Sequence, residues 1–264
     1  LIIVSFLLLG DYFILQVEKQ REKNTLSAKI SESISNQQKA ENAEKKKYLT
    51  GKYYPLETKG FSEIPKEIRA NEFAIYLKDE TLSAFIEMHK AATVDKIDFK
   101  IISATRNFND QKNIWENKWN GTILSNNENL FKKYPDEFER FNKILEYSAI
   151  PGTSRHHWGT DIDINSTDPN YFKTEKGIKE YAWLVKNAPL FGFCHPYTLK
   201  GQNRPTGYYE EKWHWSYKPI SQNLTEEYAQ LIKNEDLNGF LGDQYVIGQN
   251  IINNYVLGIN PDCL

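Results

Sequence analysis

Two short segments of this 264-residue chain carry side chains that could together bind a metal ion and activate a water molecule. Residues 154–163 read SRHHWGTDID, and residues 211–214 read EKWH. A catalytic zinc site needs three protein ligands, drawn from imidazole and carboxylate groups, with the fourth position left to water. The two segments supply that number of donors, and Gly159 allows the first one to turn so that its donors converge. The residue types therefore indicate metal-assisted hydrolysis.

Glu211 is the candidate base beside the metal. A metal-bound water has its pKa brought toward neutrality, and a carboxylate within reach can take its proton and later pass it to a leaving amine. A histidine seven residues before an aspartate is a weak signal by itself, because many solvated loops contain both. The glycine between them and the separate Glu-x-x-His make the combination considerably more specific.

The two segments and a third one resemble a known family. The pattern Ser-x-His-x-x-Gly-x-(Ala/Asp)-x-Asp, followed by Glu-x-Trp-His, is similar to that of the VanY-type D-alanyl-D-alanine carboxypeptidases. These belong to a wider group with the lysostaphin-type peptidases and the hedgehog signalling domain. Residues 103–111, SATRNFNDQ, resemble the Ser-Gly-Tyr-Arg-Ser segment of the family. The resemblance runs from about residue 48 to residue 217.

The resemblance implies a role for each matching position. His156, Asp163 and His214 would bind one zinc ion, and Glu211 would be the general base. Arg106 would stabilise the carbonyl oxygen as it becomes an oxyanion, and a fixed donor of this kind contributes roughly 3 to 4 kcal/mol in other enzymes.

The resemblance also implies three substrate-binding candidates. Ser103 and Gln111 would help to hold the peptide or its terminal carboxylate, and Ser154 would support the loop that carries the first ligand. Thr105 stands where the family has Tyr, which leaves the fine substrate contacts open.

Two neighbouring residues compete as metal ligands. Asp161 stands where the family commonly has Ala, and in an extended segment it points the same way as Asp163. It is either a partner of a ligand or a rival ligand, and we prefer Asp163 because the motif places the ligand there. His157 competes with His156 in the same way, and we prefer His156 for the same reason.

These motifs need a scaffold that brings distant segments together; the hydrophobic periodicity predicts both helices and strands, and the resemblance implies an α+β domain with a small antiparallel sheet flanked by helices. This class matches the hedgehog and D-Ala-D-Ala-peptidase domains. Helices are predicted over residues 79–95, 109–119, 136–147, 174–187, 224–234 and 243–256, and strands over 99–103 and 212–217.

Three local details follow from these elements. Asp79 and Thr174 are expected to cap their helices. The apolar face of helix 174–187 is expected to consist of Ile178, Tyr181, Ala182 and Val185. If residues 211–217 formed a regular strand, Glu211 and His214 would point to opposite faces, so the chain must bend near Glu211 for both to reach one metal ion.

Composition divides the chain into three parts. Residues 1–16 are almost wholly apolar and predict a membrane anchor or the remnant of a signal peptide, with an anchor favoured because no small-residue cleavage site follows. Residues 17–47 lack aromatic residues and proline and predict a charged, partly helical stalk, in which Leu26, Ile30 and Ile34 form a stripe too narrow for a core. Residues 48–264 are predicted to form the zinc peptidase domain.

Charge and cysteine content limit the partners. A net charge of −2 offers no basic field for nucleic acid, which we exclude as a leading partner. Cys194 and Cys263 are either one disulfide or two buried thiols. The expected partners are peptidoglycan stem peptides and, through the N-terminal segment, a membrane. We expect a monomer in the bacterial envelope, with its catalytic domain outside the cytoplasmic membrane in the periplasm.

The expected reaction is removal of the C-terminal D-alanine from stem peptides. Endopeptidase action and L,D-carboxypeptidase action remain alternatives, because they depend on the shape of the pocket. Two His and one carboxylate also form the facial triad of non-haem iron oxygenases, although that site needs no glutamate three residues before its last ligand. A non-catalytic wall-binding module is the third alternative, and Glu211 argues against it.

Overall fold

The computed structural model describes the backbone of residues 2–264 and the side chains of Gln16 and of residues 19–264. The segment 1–16, predicted as a membrane anchor or signal remnant, falls outside the described side chains except for Gln16. Among the described residues, no helix combines the length and the apolar character needed to cross a bilayer. The chain divides into two compact units, residues 1–45 and residues 46–264.

The first unit consists of most of helix α1 (Ile2–Leu49). Its residues from 19 to 41 are all exposed. They form a helix because the run is rich in Lys, Glu, Gln and Ala, which are good helix formers. The apolar stripe of Leu26, Ile30 and Ile34 is exposed as well, at 60%, 52% and 59%. The stripe therefore supports no core, and the predicted stalk segment is helical throughout.

The second unit is built on two antiparallel sheets. The smaller sheet pairs β1 (Phe61–Glu63) with β2 (Tyr76–Lys78). The larger sheet contains β3 (Ile101–Ser103), β4 (Asp161–Ile164), β5 (Phe193–Cys194) and β6 (His214–Tyr217), in the order β3-β4-β6-β5. Helices lie around them: α2 (Asp79–Val94), α3 (Phe108–Trp119), α4 (Leu130–Lys133), α5 (Glu137–Leu145), α6 (Glu175–Asn187) and α7 (Lys218–Leu231). The structure confirms the predicted α+β class.

The two faces of the larger sheet have different chemistry. Along β4, Ile162 and Ile164 belong to one hydrophobic core together with residues of α2 and α6. The side chains between them, Asp161 and Asp163, point to the other face, because successive residues of a strand alternate. A second core, around Trp115 of α3 and residues of α5 and α7, is separate from the first. The face of β4 that carries Asp161 and Asp163 therefore points away from the first core and can contribute carboxylates to a site.

A disulfide closes the C-terminal part of the unit. Cys194 of β5 is bonded to Cys263, with their Cα atoms 5.6 Å apart. Asn260 adds two hydrogen bonds beside it, because its backbone N–H donates to the carbonyl of Pro196 and its side-chain amide donates to the carbonyl of His195. Of the two sequence alternatives for these cysteines, the structure has the bridge.

Several local predictions were wrong. Helix α6 is capped by Thr174 as predicted, but Ile178 and Val185 are exposed and the buried face contains Gly177 and Glu180. The absence of a side chain at Gly177 lets the carbonyl of Tyr171 lie against the helix, where a Cβ would be 2.2 Å from that oxygen. Packing through a glycine leaves no apolar signal in the sequence.

The ends of other helices also differ from the predictions. Asp79 is the first residue of α2 and caps nothing; one of its carboxylate oxygens accepts a hydrogen bond from Ser62. Helix α7 begins at residue 218 instead of 224. The predicted helix 243–256 is replaced by a 3-10 turn (Asp243–Tyr245) and a π-type turn (Ile252–Val256). Gly248, at a φ of 94°, interrupts the segment between them.

Candidate active site

Three predicted ligands converge on the polar face of the sheet. His156 lies in a 3-10 turn (Arg155–Trp158), and Asp163 of β4 is paired directly with His214 of β6. His214 Nδ1 is 3.2 Å from His156 Nε2 and 3.2 Å from Asp163 Oδ1. His156 Nε2 is 3.4 Å from Asp163 Oδ2. All three side chains are buried, and the group could hold a metal ion.

Each imidazole is fixed by a hydrogen bond on its other nitrogen. His156 Nδ1 donates to the carbonyl of Ala104 over 2.7 Å, and His214 Nε2 donates to Asp161 Oδ1 over 3.0 Å. These partners assign the protons, so that the lone pairs of His156 Nε2 and His214 Nδ1 face Asp163. Histidines that bind metals are usually held in this way.

Asp163 supplies the clearest test of whether a cation fits. Its Oδ1 is buried and has no hydrogen-bond partner among the described residues, although buried polar atoms are almost always paired. Two neutral imidazoles and a carboxylate are suitable ligands for a divalent ion such as zinc, with one position left open. The residues present therefore fit a catalytic metal.

Asp161 lies behind His214 and outside the donor group. Its Oδ1 also accepts from Arg155 Nε over 3.1 Å, and its Oδ2 accepts from the hydroxyl of Thr160 over 2.5 Å. Burial alone would raise the pKa of Asp161, but the Arg155 guanidinium and His214 hold it well below its usual range. Asp161 is therefore an ionised partner of a ligand in this structure.

His157 has both ring nitrogens engaged away from the donor group. Nδ1 donates to the carbonyl of Arg106 over 2.7 Å, and Nε2 accepts from the backbone N–H of Gly152 over 3.0 Å. Burial lowers the pKa of His157 to about 3, which keeps the ring neutral. This histidine ties the loop before His156 to the segment that carries Arg106.

Glu211 reaches the group through a bend in the chain. The backbone N–H of His214 donates to the carbonyl of Glu211, and β6 begins only at His214, two residues later than predicted. The turn brings Glu211 Oε2 to 3.7 Å from His214 Nδ1. Burial raises the pKa of Glu211 to about 7, and the nearby Asp163 adds to the shift. A carboxylate tuned to this range suits a general base.

Arg106 lies beside the carboxylate of the donor group. One guanidinium nitrogen, Nη1, donates to Ser103 Oγ over 2.9 Å and lies 3.6 Å from Asp163 Oδ2. Its Nε is buried without a hydrogen-bond partner among the described residues. Ser103 thus contacts Arg106, and it is not among the residues that line the cavity described next.

The group opens into a cavity of about 340 Å³. Of the predicted substrate-binding residues, Gln111 and Ser154 line it. The amide nitrogen of Gln111 donates to the carbonyl of Ala149 over 2.7 Å, which leaves its Oε1 buried and unpaired among the described residues.

Several lining residues were missed by sequence reasoning: Lys118, Ser125, Ser148, Tyr197 and Tyr208. Most of them come from loops, whose side chains meet only through tertiary packing. The ring of Tyr197 lies 4.6 Å from that of His214, centroid to centroid. Lys118 alone had a usable signal, because it follows Gln111 by two helical turns and therefore shares its face.

Comparison with known proteins agrees with this geometry. The VanY family model, described as D-alanyl-D-alanine carboxypeptidase, matches residues 74–220, which include every motif discussed above. The chain belongs to the VanY family. The resemblance seen in the motifs is thereby confirmed.

Individual relatives are more distant. A D-alanyl-D-alanine carboxypeptidase of Enterococcus faecalis is 36% identical over 72 residues, which are 27% of this chain and 25% of the relative. The structure of the LdcB LD-carboxypeptidase is 25% identical in sequence and has a TM-score of 0.48. The match covers 69% of this chain and 81% of the LdcB chain. A structure of the vancomycin resistance D,D-pentapeptidase VanY in complex with Zn(II) is 24% identical, with a TM-score of 0.45 and coverage of 67% and 94%. The chain spans 64%, 25% and 46% of the lengths of three curated relatives that it matches.

Proposed function

We propose that this member of the VanY family is a zinc-dependent carboxypeptidase that removes the C-terminal D-alanine from peptidoglycan stem peptides. The observation that carries the proposal is the convergence of His156, Asp163 and His214 beside Glu211, at one end of an open cavity. Because stem peptides lie outside the cytoplasmic membrane, the proposal includes an extracytoplasmic location.

The side chains divide the reaction among them. When bound to the three ligands, zinc supplies a Lewis acid and lowers the pKa of a coordinated water. Glu211 takes the proton from the attacking water and delivers it to the leaving amino group. Arg106 stands 3.6 Å from Asp163 Oδ2, where its guanidinium can stabilise the negative charge that develops on the carbonyl oxygen. Asp161 and the carbonyl of Ala104 keep both imidazoles in the tautomer that binds a cation.

Glu211 also argues against the other classes of function. An iron oxygenase with two His and one carboxylate has no need of a buried glutamate beside the last ligand. A wall-binding module that kept its metal for structure alone would have no use for a buried carboxylate whose Oε2 lies 3.7 Å from His214 Nδ1. Endopeptidase and L,D-carboxypeptidase action use the same chemistry and differ only in which bond is presented.

The deciding experiment is mass analysis of muropeptides after incubation with protein that is zinc-loaded or chelator-treated. We expect loss of one D-alanine from pentapeptide stems with the zinc-loaded protein alone. Loss of a residue from tetrapeptides would identify an L,D-carboxypeptidase, and loss of cross-linked dimers would identify an endopeptidase. Binding to peptidoglycan without any change of mass would contradict the proposal, as would activity that needs iron and dioxygen.

A further inference from the structure

Lys118 lies on the wall of the cavity that helix α3 provides. Gln111 and Lys118 are two turns apart, so both project from the same face, about 10 Å apart along the helix axis. Helix α3 begins two residues after Arg106, and its wall therefore runs from the oxyanion side of the site toward Lys118.

The ammonium group of Lys118 is held by a hydroxyl and not by an acid. Its Nζ donates to Ser148 Oγ, and Ser148 is itself 7% exposed and lines the cavity. No carboxylate among the described residues lies within ion-pair distance of Lys118; Glu211 acts on it only at longer range. Burial lowers the pKa of Lys118 to about 8, so the group is still mainly charged at pH 7. A partly buried cation without a counter-ion is destabilising unless a ligand supplies one.

Other polar groups around the same cavity also lack partners. Ser125 Oγ and Tyr208 OH are buried and make no hydrogen bond to the described residues, and both hydroxyls can donate to an anion. Native proteins pair nearly all such atoms with protein, water or ligand. This side of the cavity is therefore equipped for a polar, negatively charged group.

We propose that Lys118 and Ser148 form the subsite for the free α-carboxylate of the peptide substrate, an inference that rests on the proposed function. Among the residues that the structure describes, Lys118 and Arg106 are the only Lys or Arg side chains that line the cavity, and Arg106 lies against Asp163 at the reacting centre. Lys118 is then the remaining cation that can bind the C-terminal carboxylate of the peptide substrate. A subsite of this kind selects peptides with a free C-terminus, which makes the enzyme a carboxypeptidase and disfavours internal bonds.

The test compares one peptide ending in D-alanyl-D-alanine with its C-terminal amide. We expect the wild type to prefer the acid, and Lys118→Met to lower kcat/KM for the acid about 100-fold while changing that for the amide less than about twofold. Lys118→Arg should recover part of the loss. Lys112→Met is the matched control, since Lys112 lies on the same helix, pairs with Glu116 and does not line the cavity. Lys118→Gln is measured in parallel, in case the methionine variant does not fold.

Binding without turnover separates this inference from the proposed function. Calorimetry on zinc-loaded Glu211→Gln, with and without Lys118→Met, gives the Kd of the acid and of the amide. We expect Lys118→Met to weaken the acid about 100-fold and to leave the amide unchanged. Equal effects on both peptides, or none on either, overturn the subsite. If the wild type hydrolyses neither peptide, the proposed function fails, and the calorimetric comparison still decides on Lys118.

Discussion

The two sides of the cavity are built in different ways. On the sheet side, formed by β4, β6 and the 3-10 turn of residues 155–158, the imidazoles and Asp161 have their hydrogen-bonding groups engaged. On the helix side, formed by α3 and residues 125–148, Gln111 and Ser125 each keep an unpaired buried atom. The sheet side is therefore complete except for a cation, whereas the helix side is complete only with a substrate. Substitutions on the two sides should separate metal binding from substrate binding.

The largest effect is expected on the sheet side for His214→Ala. It removes one of three ligands, so zinc and activity should both be lost. Zinc content by mass spectrometry, together with release of D-alanine, checks this. A variant that retained stoichiometric zinc would show that the ligand set is wrong.

Glu211→Gln should reduce kcat on the order of 10⁴-fold and leave the zinc content unchanged, because the amide cannot accept the proton of the attacking water. Steady-state kinetics and metal analysis of the same sample are the measurements. Glu210→Gln, at the neighbouring partly exposed pair with Lys212, is the control. Near-normal turnover would remove Glu211 from the role of base.

Asp161→Asn should weaken zinc binding about 10- to 100-fold, because the neutral amide holds His214 less firmly than an ionised carboxylate does. Competition with a chromogenic chelator measures the affinity. Asp168→Asn, at an exposed position, should have no effect. If Asp161 were itself a ligand, its substitution would instead abolish binding.

On the helix side, Lys118→Met should increase the free energy of unfolding at pH 7 by on the order of 2 kcal/mol, because it removes a cation whose pKa is lowered to about 8 by burial. Between pH 8 and the ordinary pKa of lysine, the unfolded wild type binds more protons than the folded one, so wild-type stability rises with pH. The advantage of the variant should therefore shrink above pH 8. Denaturant titrations at pH 7 and pH 9.5 check it, and a constant difference would contradict it.

The smallest effect is expected for Ser125→Ala. Its hydroxyl has no partner among the described residues, so the variant should be as stable as the wild type. The KM should rise about fivefold, corresponding to one lost hydrogen bond to the substrate. Unchanged zinc affinity would show that Ser125 acts on substrate binding alone. A loss of zinc would contradict the separation of metal binding from substrate binding.

Sequence reasoning reached the sheet side much better than the helix side. Asp163 and His214 stand in motifs with fixed spacing. Because side chains alternate between the two faces of β4 and β6, that spacing also predicts the face to which each side chain points. Ser125 and Tyr208 carry no such pattern, since they meet the cavity only when loops pack. The fold shows the same limit: the α+β class follows from periodicity and the family resemblance, but the buried face of α6 depends on Gly177, which leaves no apolar trace.

The bond between Cys194 and Cys263 ties the C-terminal turn to strand β5 of the larger sheet. It closes a loop over a sequence separation of 69 residues, which should stabilise the fold by about 4 kcal/mol through restriction of the unfolded chain. Tyr197, whose ring lies against His214, follows Cys194 by three residues. Reduction of the bridge would remove this stabilisation and leave β5, which leads into Tyr197, without its covalent link to the C-terminal turn.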